Sequence, residues 1–76
     1  MLKDTDGKMD IKAGTILVDP KRREKGAYFR VCRIVKGYWL DGETGVELTL
    51  CYEGKTWESP TWFERKSDVA QIYEVL

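Results

Sequence analysis

The sequence predicts a small β-rich fold, in which five short strands form a strongly bent antiparallel sheet that curls into a partly open barrel. The chain of 76 residues is long enough for one domain only. Short runs of β-branched and aromatic residues alternate with single glycines and prolines. We expect this domain to span residues 13–76, after a mobile lead-in over residues 1–12 in which apolar side chains are few.

The first two predicted strands flank a charged loop. Residues 15–19 form a β-branched run that stops at Pro20, because proline has no backbone N–H to donate. No apolar residue lies between Pro20 and Gly26, so residues 20–26 are predicted to form a loop. Residues 27–36 predict the second strand. Its two faces both mix apolar and basic side chains, which indicates either cover on both sides or a β-bulge.

The middle of the chain predicts two more strands. Asp41 and Gly42 mark a turn before a strand over residues 46–52, whose apolar side chains alternate regularly. A tight turn at residues 53–55 then leads into a predicted fourth strand over residues 56–59, which Pro60 ends.

The last ten residues allow two predictions. Val69, Ile72, Tyr73 and Leu76 share the spacing of one helical face, with Ser67 as a candidate N-cap. Residues 71–76 are also rich in side chains that favour strands. We expect a final strand over residues 71–76, and the alternative is an α+β fold with a C-terminal helix over residues 67–76.

Charge is unevenly distributed along a chain that is neutral overall. Residues 21–36 contain one acid, Glu24, and seven basic side chains, namely Lys21, Arg22, Arg23, Lys25, Arg30, Arg33 and Lys36. Such a segment could steer an acidic protein or follow a phosphate backbone. The structural alternative is that these cations pair with carboxylates on neighbouring strands.

Aromatic residues are also clustered. Three tryptophans are more than a core of this size can hide completely, so some must reach the surface. Exposed indole and phenol rings are common anchors of protein interfaces. We expect Phe63 and Trp57 to fill the ends of the barrel. The predicted partner-binding residues are Lys21, Arg22, Arg23, Lys25, Arg30, Arg33, Tyr38, Trp39 and Trp62.

Several kinds of chemistry are disfavoured by composition. The chain has no histidine, which is the commonest general base and metal ligand. Cys32 and Cys51 are too few for a zinc site, and we expect both to be small, buried and reduced. The start of the chain lacks the apolar stretch of a secretory signal, and no run of 18 apolar residues is present. We therefore expect a cytoplasmic protein without enzyme activity, metal, cofactor or membrane contact.

The order of a short strand, a charged loop and a twisted strand of arginines and valines resembles small SH3-like modules. The glycine pattern of ribosomal and transcription-factor versions is incomplete, and the acidic, tyrosine-rich opening of eukaryotic proline-binding versions is absent. The small size also resembles accessory proteins of phages and mobile elements. We predict a non-enzymatic module that binds a protein partner, with nucleic-acid binding through residues 21–36 as the alternative and the oligomeric state left open.

Overall fold

The structure, a computed structural model, describes residues 11–22 and 24–76. Within this part the chain forms one antiparallel five-stranded sheet and a short helix, so the predicted β-rich fold class is confirmed. The strands lie side by side in the order β4-β3-β2-β1-β5. The elements along the chain are β1 (Ile16–Val18), β2 (Ala27–Val35), β3 (Gly45–Tyr52), β4 (Trp62–Arg65), α1 (Lys66–Ile72) and β5 (Glu74–Val75).

The predicted lead-in falls mostly outside the described residues. Residues 1–10 and Arg23 are not described, so the predicted mobility of the lead-in and the predicted role of Arg23 lie outside the described residues and stay predictions. Ile11, near the end of the lead-in, is buried and packs in the core. Lys12 follows it, and its backbone N–H donates to Oγ1 of Thr15 just before β1.

A β-bulge lies in the middle of β2. Val31 pairs with Leu48, but the next pair in the ladder joins Arg33 to Glu47, so Cys32 is the extra residue. The bulge was one of the two alternatives that the mixed faces of this segment indicated. It shifts the side-chain alternation by one position. As a result Val31 and Ile34 both contribute to the core, although they lie three positions apart and would face opposite sides of a regular strand.

One face of the sheet, which we call the core face, packs against helix α1, Ile11 and Tyr73. Its fully buried side chains include Leu17 from β1 and Leu48 from β3. Burying a leucine side chain contributes about 1.5–3 kcal/mol. Helix α1 adds Val69, which is also fully buried. The cluster consists of Ile11, Leu17, Val31, Val46, Leu48, Val69 and Tyr73.

The predicted fourth strand over residues 56–59 is wrong. Within it, Glu58 forms an isolated bridge with Cys51, and β4 begins at Trp62, beyond Pro60. The reason lies at Ser59, whose Oγ accepts a hydrogen bond from the backbone N–H of Leu50 at 2.9 Å. A side chain therefore takes a position that a strand partner would occupy. Regular pairing resumes where Trp62 lies opposite Leu48.

The C-terminal segment contains both predicted elements in shortened form. Helix α1 ends at Ile72, and β5 follows at Glu74 and Val75 beside β1. The N-cap is Arg65 rather than Ser67, and no side chain caps the helix. The helix carries the chain from the edge strand β4 to the other edge strand, β5. Within the described residues, no helix has the length and apolar character needed to cross a lipid bilayer.

Candidate functional site

The face of the sheet opposite the core, which we call the outer face, carries a row of paired polar side chains. Residues directly opposite in a ladder project to the same side. Arg33, Glu47 and Phe63 are aligned in this way across β2, β3 and β4. Nε of Arg33 donates to Oε1 of Glu47 at 2.8 Å, and Oγ1 of Thr61 donates to Oε2 at 2.7 Å. The hydrogen bond from Thr61, followed by that from Arg33, lowers the pKa of Glu47.

Aromatic rings and arginines continue this row toward the loop between β2 and β3. The ring of Tyr38 stacks on Phe63 with centroids 4.0 Å apart and planes 11° from parallel. Trp39 meets Tyr38 edge-on at 4.7 Å. Cζ of Arg33 lies 5.7 Å from the ring centre of Phe63, and Cζ of Arg65 lies 4.7 Å from that of Trp39. We call these five residues the outer-face cluster. The three aromatic rings form its middle, and an arginine at each end makes a cation–π contact with the nearest ring, Arg33 with Phe63 and Arg65 with Trp39.

The β2–β3 loop is fixed by hydrogen bonds from both its backbone and Arg65. Nη1 of Arg65 donates to Oδ2 of Asp41 at 2.7 Å and lies 3.5 Å from Oε1 of Glu43. The backbone N–H of Glu43 donates to Oδ1 of Asp41 at 3.0 Å, and that of Gly42 donates to the carbonyl of Trp39 at 2.9 Å. The Glu43 N–H, followed by Arg65, lowers the pKa of Asp41.

The tip of this loop presents apolar surface to solvent. The side chain of Leu40 is fully exposed, and Tyr38 is 46% exposed. Trp39 is half-buried between them in sequence. Scattered exposed leucines are common on soluble proteins, but here an exposed leucine adjoins two aromatic residues on a fixed loop. This arrangement gives a small, preformed apolar projection.

Arg30 and Arg33 are both occupied in ion pairs. The guanidinium of Arg30 makes two bonds to Glu58, Nη1 to Oε2 at 2.5 Å and Nη2 to Oε1 at 3.1 Å. This pairing raises the pKa of Arg30 and lowers that of Glu58. The structural alternative of cross-strand pairing thus applies to these two arginines. A partner would have to compete with Glu58 and Glu47 for them.

The basic loop, residues 20–26, lies at the other end of β2 from the outer-face cluster. Lys21, Arg22 and Lys25 are exposed there and form no ion pair with a described carboxylate. Strand β2 has nine residues, which correspond to about 26–30 Å of extended chain. The structure therefore separates three of the predicted partner-binding residues in the basic loop, Lys21, Arg22 and Lys25, from three in the outer-face cluster, Arg33, Tyr38 and Trp39.

Trp62 lies on the core face, away from the outer-face cluster. It packs edge-on against Phe29 with ring centres 6.0 Å apart, and its Nε1 donates to Oε2 of Glu64 at 2.8 Å. Trp57, expected to fill an end of the barrel, is instead 54% exposed. Phe63, expected in the same role, is half-buried in the outer-face cluster.

Sequence reasoning missed Leu40, Phe63, Arg65 and Asp41 as parts of a site. The period-two pattern of Trp62, Phe63, Glu64 and Arg65 held the signal, because Phe63 and Arg65 must share one face of a strand. A fourth strand that ends at Pro60, as the sequence predicts, leaves these four residues outside the sheet, so their shared face goes unrecognised.

The described residues lack a cluster of metal-binding side chains. They contain no group of three or more histidine, cysteine, aspartate or glutamate side chains that could hold an ion. Cys32 and Cys51 are both free thiols; Cys51 is buried and Cys32 is half-buried.

No family model matches the chain, and neither a curated protein nor a solved structure matches it. The fold and the outer face together define a small β-rich domain with a preformed surface of aromatic, arginine and leucine side chains.

Proposed function

We propose that this protein is a small non-enzymatic binding module that engages another protein through the outer-face cluster and the tip of the β2–β3 loop. The observation that carries the proposal is the full exposure of Leu40 on a loop held by Arg65 and Asp41. A loop already fixed in one conformation loses less entropy on binding than a flexible one. Leu40 would enter an apolar pocket of the partner, with Tyr38 and Trp39 beside it.

The charges around the loop favour a protein partner over a nucleic acid. Arg33 and Arg65 supply positive charge, but Glu47, Asp41 and Glu43 lie against them. A phosphate backbone would be repelled by these carboxylates. Protein interfaces, in contrast, commonly place an apolar and aromatic centre inside a rim of mixed charge.

The basic loop has a separate role in this proposal. Its exposed side chains Lys21, Arg22 and Lys25 lie far from Leu40, beyond the distance over which physiological salt screens charge, about 8 Å. They would attract an acidic partner during encounter and raise the association rate, while the loop tip slows dissociation. The two regions therefore affect different rate constants.

The fold is compatible with a small binding module. The strand order, with α1 joining the two edge strands, supports an SH3-like partly open barrel. Folds of this size host many unrelated functions, so the exposed surface, rather than the fold, selects the partner. An accessory role in a phage or mobile element fits the same small binding module.

Capture from a nuclease-treated lysate of the cells that make the protein tests the proposal. We expect the wild type to retain a partner protein that the Leu40→Ser variant loses. The partner should dissociate from Leu40→Ser at least about fivefold faster than from the wild type. The matched control is Leu76→Ser, since Leu76 is another exposed leucine, far from the loop in sequence. Equal retention by wild type and Leu40→Ser would contradict the proposal.

Nucleic-acid binding through residues 21–36 is the second candidate. The exposed basic loop favours it, because Lys21, Arg22 and Lys25 pair with no described carboxylate. Titration of labelled DNA and RNA at two salt concentrations tests it. Affinity that falls steeply as salt rises would favour this candidate, and no binding at low salt would exclude it.

A further inference from the structure

A cleft of about 410 Å³ lies at the end of the sheet where β2 begins and β3 ends. Its size falls within the range of small-ligand pockets. The basic loop and the C-terminal end of α1 form its sides. Three aromatic and three acidic side chains line it, namely Phe29, Tyr52, Tyr73, Asp19, Glu24 and Glu64.

Two of the carboxylates are held in place by aromatic side chains. The hydroxyl of Tyr73 donates to Oε2 of Glu64 at 2.9 Å, and Trp62 donates to the same oxygen. The hydroxyl of Tyr52 donates to Oε1 of Glu24 at 3.0 Å. The second oxygen of each carboxylate, Oε1 of Glu64 and Oε2 of Glu24, receives no hydrogen bond from the described residues.

The tyrosines remain donors over a wide pH range. Burial, followed by the bond to Glu64, raises the pKa of Tyr73 well above its usual value. The bond to Glu24 raises the pKa of Tyr52. Both hydroxyls therefore keep their protons near neutral pH and continue to orient the two carboxylates.

The charge of the cleft selects one kind of ligand. Arg22 is the only cation among the described residues that line the cleft, against the three carboxylates, and it forms no ion pair with a described carboxylate. The faces of aromatic rings also attract cations. The rings and the carboxylates thus favour the same sign of charge.

We infer that this cleft binds an organic cation, an alkylammonium or guanidinium group on a short apolar stem. The stem packs against Phe29 and Tyr52, while the charged head meets the carboxylate oxygens of Glu24 and Glu64. Either a free amine or a lysine or arginine side chain carries this group. The inference is independent of the outer-face cluster and the tip of the β2–β3 loop, which lie away from the cleft; of the residues in the proposed function, Arg22 alone also lines the cleft.

Titration of the ¹⁵N-labelled protein with n-butylammonium chloride tests the inference by NMR. We expect saturable shifts at the amides of Ala27, Phe29, Tyr52 and Tyr73. A ligand of this size should bind with a dissociation constant on the order of 1–10 mM. At equal ionic strength, n-butanol and sodium butyrate, which have the same length without the positive charge, should produce no saturable shift there.

Two capped amino acids, N-acetyl-lysine methylamide and N-acetyl-arginine methylamide, distinguish the sources of the cation. Binding at least as tight as that of butylammonium assigns the site to a side chain. Binding of butylammonium alone assigns it to a free amine. Equal shifts from butylammonium and butanol, or no saturable shift at the cleft by about 50 mM butylammonium, would overturn the inference.

Charge substitutions give a second test, because removing an acid and removing a base from the cleft should change the affinity for butylammonium in opposite directions. We expect Glu24→Gln to weaken butylammonium binding about two- to fivefold and Arg22→Gln to strengthen it by a similar factor. Glu53→Gln is the matched control, because Glu53 is exposed and lies outside the cleft lining. A weaker affinity in Arg22→Gln, or equal effects of Glu24→Gln and Glu53→Gln, would also overturn the inference.

Discussion

Tyr38 crosses β3 directly over Gly45. A Cβ atom on Gly45 would lie 2.8 Å from Cβ and 2.9 Å from Cγ of Tyr38, closer than real Cβ contacts allow. It would also lie 3.1 Å from the Phe63 ring. The absence of a side chain at Gly45 therefore lets Tyr38 reach Phe63, and the outer-face cluster depends on it.

Gly45→Ala is expected to displace Tyr38 and lower the free energy of unfolding by about 1–3 kcal/mol, because the Cβ atom of Tyr38 cannot move without its backbone. Chemical denaturation gives the stability, and near-UV circular dichroism reports the loss of the Tyr38–Phe63 stack. Gly14→Ala is the control: Gly14 has φ of +92° and open space around it, so it should lose stability through the backbone alone. Equal near-UV spectra for wild type and Gly45→Ala would contradict the prediction.

Trp62→Phe is expected to lower the free energy of unfolding by about 1–2 kcal/mol, since it loses packing against Phe29 and the bond to Glu64. Partner binding by the folded variant should be unchanged. Trp39→Phe should show the opposite pattern, with weaker binding and little loss of stability. Denaturation and dissociation kinetics on both variants check this. A stable Trp62→Phe that binds weakly would restore Trp62 as an anchor, as the sequence predicted.

Thr49→Val is expected to cost about 1–3 kcal/mol of stability, because the Oγ1 of buried Thr49 donates to the carbonyl of Ser59 at 2.7 Å. Valine has nearly the same shape but leaves that carbonyl without its donor. Thr49→Ser keeps the hydroxyl and serves as the control, with a smaller loss from the missing methyl group. Urea unfolding of both variants gives the comparison, and a valine variant more stable than the serine variant would refute the prediction.

Arg65→Met is expected to loosen the β2–β3 loop, because it removes the hydrogen bonds to Asp41 and Glu43. Amide hydrogen exchange at Gly42 and Glu43 should become several-fold faster. Lys66→Met removes the neighbouring positive charge and should leave these rates unchanged. If Arg65→Met also exchanges at the wild-type rate, the loop does not depend on Arg65.

Stability is expected to fall below about pH 4 and to stay nearly constant between pH 6 and 8. Hydrogen bonds lower the pKa values of Asp41 and Glu47, chiefly from the Glu43 N–H and from Thr61. A lowered pKa in the folded state adds stability above the unfolded value of about 4, and this is lost as pH falls through the folded value. The chain has no histidine to titrate near neutrality. Urea midpoints from pH 2 to 8 test this, and a marked loss between pH 6 and 5 would contradict it.

The regular parts of the fold could be predicted because their signals are local. The alternation from Val46 to Tyr52 matches β3 closely, and the mixed faces of β2 arise in part from the bulge at Cys32. Pro20 and Gly26 bound a real loop. Both C-terminal alternatives were correct in part, since the helical spacing ends at Ile72 and extended backbone follows.

The predicted position of the fourth strand is wrong because of a contact between residues distant in sequence. Residues 56–59 have the composition of a strand, but Ser59 uses its side chain to bond Leu50. Strand pairing shifts as a result to Trp62–Arg65, beyond Pro60. The prediction that Phe63 fills an end of the barrel is wrong for the same reason, because the face on which a side chain lies follows from the register of its strand.

Local sequence patterns specify the β-rich class, the approximate positions of β1, β2 and β3, and the supply of arginines and aromatic rings, because period-two patterns and turn residues act over a few positions. Strand pairing and packing across the whole chain set which of these groups remain free to bind a partner. Long-range register pairs Arg30 with Glu58 and Arg33 with Glu47, turns Trp62 toward the core, and leaves Leu40 exposed on a loop that Arg65 holds. The ion pairs among these contacts join residues 14–28 positions apart, Phe29 and Trp62 are 33 apart, and no local pattern specifies any of them.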